Sequence, residues 1–284
     1  MKRRMFVLWR VWASLSGLVA AAVVIVAGIE LVAIARAWPD DWHVYASGPI
    51  PESHFIQRAR AHGNVIWKTR PLDTIAPVIA RAVILAEDVR FYKHHGFDLA
   101  AIGEAIDRNL REGAFRMGGS TISQQTVKNL FLTTDKTLRR KLTEAALTLG
   151  LERHVSKDRI LELYLNIAQF GPNLFGVEAA SEHYFGHAAT IATEIEAAEL
   201  AATLPAPVPD NPSTRTRAFL RRRDRILWNL AGVYAPPANA VPPQLRPATA
   251  PATASVAVSA PVAAGSVTST VVGQSATAAV TQAA

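Results

Sequence analysis

The chain has 284 residues, 50% of them hydrophobic and 19% charged, with a formal net charge of +7 and no cysteine. Disulfide staples, thiolate metal sites and a cysteine nucleophile are excluded. The apolar content excludes disorder throughout, and the length suits one ordinary domain with appendages.

Val11 to Ile29 is 19 residues without a charge, fifteen of them Ala, Val, Leu, Ile or Trp. As a helix rising about 1.5 Å per residue, this run reaches about 28 Å, close to the ~30 Å of a bilayer core. Glu30 interrupts it and Leu31 to Ala35 extend it, so residues 11–35 are predicted to form a transmembrane anchor. Lys2, Arg3, Arg4 and Arg10 precede it without an acid. That bias places residues 1–10 in the cytoplasm and the bulk of the chain across the membrane. Trp9, Trp12 and Trp38 fall where interfacial aromatics are expected. The competing reading is a signal peptide cleaved at Ala33-Ile34-Ala35. Signal cores are shorter, about 7–15 residues, which favours the uncleaved anchor. The other 26 cations face 23 acids. The charge is thus an orientation signal plus local clusters, not the mark of a nucleic-acid binder.

Residues 36–70 read as a juxtamembrane segment rich in Pro, His and Trp. From 71 to 234 the apolar spacing is helical, as in Ile75-Val78-Ile79-Ala82-Val83 and Ile160-Leu161-Tyr164-Leu165. Gly and Pro mark the breaks, while strand alternation and Asn-Gly hairpin turns are missing. A mainly α domain with a proper core is predicted. Pro247 to Ala284 has no charge, aromatic or leucine, and residues 235–284 are predicted to be a disordered tail rich in Ala, Val, Thr and Pro.

Within the helical part, Glu87-Asp88 follows the apolar Val83-Ile84-Leu85. A carboxylate at the end of a buried helix is a candidate general base, because partial burial raises its pKa. The plainer alternative is an exposed acid pair. Gly118-Gly119-Ser120-Thr121-Ile122-Ser123-Gln124-Gln125 combines close backbone approach with neutral hydrogen-bonding side chains, suited to sugar hydroxyls or phosphate oxygens. It also reads as a helix start with a Ser or Thr cap. Lys128, Lys136, Arg139, Arg140 and Lys141 then form a basic cluster. Arg140 and Lys141 share a helix face with Glu144, which fits either a solvated ion-paired face or a pyrophosphate site. Glu87 and Glu144 are the carboxylates in the best contexts for chemistry at a glycosidic carbon. The histidines show no His-Glu-x-x-His pattern, and no metal ligand is assigned. Ser156 opens a helix read as scaffold. Arg215, Arg217, Arg221, Arg222, Arg223 and Arg225 form a second basic run, facing anionic headgroups or water.

In this order the pieces resemble the bacterial peptidoglycan glycosyltransferases, glycosyltransferase family 51. They are Glu87-Asp88-x-x-Phe91-x-x-His94-x-Gly96, Gly119-Ser120-Thr121-Ile122-x-Gln124-Gln125, Arg140-Lys141-x-x-Glu144 and Ile160-Leu161-Glu162-x-Tyr164-Leu165-Asn166. The resemblance spans roughly 71–230. It implies a mainly α, lysozyme-like fold of two lobes, anchored by one helix in the bacterial inner membrane with the catalytic domain periplasmic. It implies polymerisation of lipid II into linear β-1,4 glycan, inverting at the donor C1. Glu87 would be the general base. Lys128, Lys136, Arg140 and Lys141 would meet the undecaprenyl pyrophosphate leaving group with Glu144 assisting, and Ser120 and Gln125 would contact substrate. Lys136 stands where relatives often carry Arg, keeping the charge but losing a bidentate grip. The implied partners are lipid II, the growing strand, the membrane, and division or elongation proteins. The implied cofactor is at most a divalent cation, Mg or Mn, at the pyrophosphate. Bifunctional relatives add a transpeptidase with Ser-x-x-Lys and Lys-Thr-Gly motifs; neither occurs here, so the monofunctional form is expected. The alternatives are a lysozyme-like peptidoglycan hydrolase and a non-catalytic anchored scaffold. The first has no need of the cations, the second none of both carboxylates.

Overall fold

A computed structural model describes residues 2–112, 119–133, 135, 137–233 and 242–245. Side-chain caps start most of its helices. α1 (Lys2–Ala37) and α2 (His43–Ala46) lead to α3 (His54–His62), where the Ser53 hydroxyl accepts from the Ile56 amide at 3.2 Å. β1 (Ile66–Trp67) precedes α4 (Pro77–Glu87), which opens on proline, where an N–H would have no helical partner anyway. α5 (Leu99–Glu112) follows. α6 (Ile122–Phe131) begins at a capping box in which Thr121 and Gln124 each satisfy the other's backbone N–H. Thr137 caps α7 (Leu138–His154) and Ser156 caps α8 (Lys157–Ile167). β2 (Gln169–Gly171) and β3 (Leu174–Phe175) form a hairpin before α9 (Val177–Phe185). α10 (Glu194–Thr203) has a second capping box, Thr193 with Glu196, and Thr216 caps α11 (Arg217–Leu230).

The helices pack in two groups. α10 lies against α4 and α11; α6 lies against α7, α8 and α3. This mainly α, two-part arrangement agrees with the expected fold class. Ile79 and Val83 of α4, Val127 of α6, Leu147 of α7 and Ile160 of α8 are fully buried, as are Phe91, Phe170 and Phe219. Each such side chain contributes about 1.5–3 kcal/mol by leaving water.

A small sheet, ordered β1-β3-β2, was not expected. β1 runs parallel to β3, pairing Ile66 with Leu174, and β2 is antiparallel with an irregular register. Strands of two and three residues are too short to show alternation. Their hairpin turns at Pro172-Asn173, with Asn173 at φ 52°, rather than at Asn-Gly. Gly176 at φ 82° joins this sheet to α9, and a Cβ there would stand 2.7 Å from the Lys68 carbonyl oxygen and 2.9 Å from that of Asn166.

The packed body begins before residue 71, since Trp42, Ser53 and Ile56 are buried in it. In α1, Ser14–Ala37 has a mean hydropathy of 2.7, enough in length and composition to cross a membrane. Its second half packs on α7, with Glu30, Ala33, Ile34 and Ala37 half-buried along one stripe. At Gly150 of α7 a Cβ would lie 2.5 Å from Trp42 and 2.8 Å from Trp38, so bare backbone receives both indoles. Trp42 also stacks on His154 at 5.5 Å.

The predicted tail over 235–284 lies outside the described residues except at 242–245. There Gln244 donates to Glu194 at 2.9 Å and to the Leu227 carbonyl at 3.3 Å, so this short stretch lies against α10 and α11. The second basic run is largely paired within the body. Arg222 bonds Asp210 at 2.8 Å, Arg223 bonds Asp224 at 2.7 Å, and Arg215 bonds Glu199 at 2.9 Å. Arg217, Arg221 and Arg225 of that run, spaced four apart, form an exposed stripe with no ion-pair partner among the described residues.

Candidate active site

α4 ends where its two carboxylates part. The Asp88 side chain turns into the protein, 2% exposed, and accepts from His94 Nε2 and from the Ile122 amide, both at 3.0 Å. It thereby ties the end of α4 to the start of α6. Glu87 is half-buried and faces the junction of the two helical groups. There the Gln125 Nε2 amide of α6 donates to Glu87 Oε2 at 2.7 Å, and the buried Tyr164 hydroxyl of α8 donates to Gln125 Oε1 at 2.9 Å. Burial pushes the Glu87 carboxyl above its ordinary pKa; the Gln125 hydrogen bond and the charges of Lys128 and Arg222 pull it partly back.

Two cavities meet at this junction. One, of about 480 Å³, is lined by Glu87, Arg90, Asp98, Glu104, Gly119 and Ser120 among others. Among the described residues its lining is acidic on balance, and the one cation there is engaged: Arg90 pairs with Asp98 at 2.6 Å and Glu104 at 3.1 Å. The other, of about 550 Å³, is lined by Phe55, Ser120, Gln125, Lys128, Arg140, Lys141 and Glu144 among others. Ser120 lines both, and the Glu87–Gln125 hydrogen bond links one to the other.

In the second cavity Glu144 is buried, bonded to Arg140 at 2.8 Å and to Lys141. Its charge is spent on holding these two cations side by side on α7. Lys128 forms no ion pair among the described residues. Burial pushes its ammonium below the ordinary lysine pKa, Arg140 and Lys141 add to this, and Glu144 and Glu87 oppose it. A half-buried ammonium with no ion-pair partner among the described residues, beside two more cations, is a receptor for an anion.

Of the predicted site residues, Glu87, Ser120, Gln125, Lys128, Arg140, Lys141 and Glu144 therefore fall on these two adjoining cavities, with Glu87 and Glu144 lining different ones. Lys136 lies outside the described residues. Phe55, from the segment read as juxtamembrane, lines the cationic cavity, and Tyr164, read as scaffold, reaches Gln125. Among the described residues no group of three His, Asp or Glu side chains could hold a metal ion.

A family model described as Transglycosylase matches residues 54–231. The chain is 46% identical over 166 residues to a protein of Nitrosospira multiformis, an overlap covering 58% of this chain and 72% of that one. It is 42% identical over 212 residues to a protein of Shigella boydii and 45% identical over 212 residues to one of Escherichia coli; each overlap covers 72% of this chain and 86% of the relative. All three bear the name biosynthetic peptidoglycan transglycosylase.

Proposed function

The chain belongs to the transglycosylase family, and we propose on that premise that it polymerises lipid II into linear peptidoglycan glycan strands. The observation that carries this reading is a carboxylate poised between an acidic cavity and a cationic one. A neutral sugar hydroxyl suits the acidic side, which repels phosphate. A lipid pyrophosphate suits the side of Lys128, Arg140 and Lys141.

The acceptor 4-hydroxyl then sits at Glu87. As its oxygen bonds to the donor C1, its proton passes to the Glu87 carboxylate. The C1–O bond to pyrophosphate breaks with its electron pair leaving on the phosphate, and C1 inverts to the β configuration. Lys128, Arg140 and Lys141 stabilise that developing charge, with Lys136 assigned to the same group. Glu144 acts by orienting Arg140 and Lys141. Ser120, at the seam of the cavities, contacts the sugar. A hydrolase has no need of this cation set, which supports transfer.

The apolar α1 suits an anchored enzyme whose substrate is itself a membrane lipid. The N-terminal cations orient it with the catalytic body outside the cytoplasmic membrane.

The test is polymer formation from lipid II by the full chain. Wild type yields polymer, and Glu87→Gln lowers the rate by at least about a hundredfold, the lower range of a general base. A fully active Glu87→Gln protein would overturn the assignment.

A further inference from the structure

Tyr164 has no part in the reaction just described, and it sits on a helix whose apolar face makes core. Yet its ring is 1% exposed and its hydroxyl ends on Gln125 Oε1 at 2.9 Å, while the nitrogen of that same amide ends on Glu87 Oε2 at 2.7 Å. A glutamine side chain is symmetric in shape and antisymmetric in chemistry. With its nitrogen toward Glu87 it stabilises the carboxylate; with its oxygen there it repels it. A buried hydroxyl donor on the other side permits the first orientation and disfavours the second. Burial, with the Glu87 charge behind it, holds the Tyr164 phenol well above its ordinary pKa, so it stays protonated and available as a donor.

We propose that Tyr164 is a positioning residue for the transfer reaction: it locks the Gln125 amide so that its N–H group faces the reacting carboxylate of Glu87. This rests on Glu87 being the base. The chain Tyr164–Gln125–Glu87 joins α8, α6 and α4, so it also fixes the carboxylate of one helical group against the other at the seam of the two cavities.

The experiment is Tyr164→Phe, which removes one oxygen and keeps the ring, tested on lipid II across pH. A fall in kcat of about five- to tenfold is expected, the scale of one neutral hydrogen bond. The acidic limb of the rate profile should move to higher pH, because the freed amide no longer reliably donates to Glu87. In a Gln125→Ala background, Tyr164→Phe should change kcat by less than about twofold, since Tyr164 acts through that amide. An unmoved pH profile, or full additivity of the two substitutions, overturns the proposal, and the melting temperature separates either result from misfolding. If instead Glu87→Gln polymerises normally, the assignment of the base fails, and that outcome is distinct from both.

Discussion

Glu87 is held under opposing demands. To accept a proton it must be ionised, yet burial favours its neutral form, and the carboxyl is raised above its ordinary value despite Gln125 and Lys128. Such a shift makes a stronger base and a costlier folded state. Below the ordinary glutamate range, both folded and unfolded chains are protonated and nothing is lost. Above the raised folded value the ionised group is penalised only when folded. Glu87→Gln, which cannot ionise, is therefore expected to melt at a higher temperature than wild type at about pH 7.5, with the gain shrinking toward pH 4. Paired thermal melts at the two pH values check this; an equal or lower melting temperature at both would contradict the burial account.

At the level of elements, α7 was the most readable part of the site. Arg140, Lys141 and Glu144 are three and four residues apart, so helical spacing alone put them on one face, and the ion pairs form there. Local caps were legible for the same reason: Ser156 and the Thr121-to-Gln124 box act within three residues. What was not legible is long-range. Tyr164 and Gln125 are 39 positions apart and Gln125 and Glu87 are 38, so no spacing rule connects them. Apart from Asp224, the acids that pair the second basic run, Asp210 and Glu199, lie in a preceding loop and in α10, so Arg215 and Arg222 looked free. The small sheet was hidden by the shortness of its strands. α7 also supplies a prediction. Glu144→Ala removes the only carboxylate that Arg140 and Lys141 bond among the described residues. A loss of about 2 kcal/mol is expected, below the range for a fully buried pair because Lys141 is 42% exposed on its side chain. Polymerisation should fall at least about tenfold as the cations lose their placement. Chemical denaturation and the lipid II assay check the two parts, and wild-type values in either would refute it.

On the scale of the whole molecule, the anchor and the cationic cavity share one support. α1 packs on α7, and α7 carries Arg140, Lys141 and Glu144. Near the N-terminal end of that contact, Glu30 of α1 lies 4.0 Å from Arg139, the residue immediately before Arg140. Glu30 is seven residues inside the end of the apolar stretch Ser14–Ala37, about 10 Å along the helix. An isolated carboxylate within hydrocarbon costs about 2.5–3.5 kcal/mol, whereas an exposed ion pair in water is worth almost nothing. The bilayer therefore turns a weak contact into a strong preference for keeping Glu30 against Arg139. With α1 spanning a bilayer, that preference would set the height of the cationic cavity relative to the membrane. In liposomes, Glu30→Lys is expected to lower the polymerisation rate several-fold by placing like charges together, with the protein still in the membrane fraction. Adding Arg139→Glu restores the opposite charges in reverse and should recover most of the rate. A silent Glu30→Lys, or a double variant no better than the single, would show that the anchor only tethers the enzyme and does not position it.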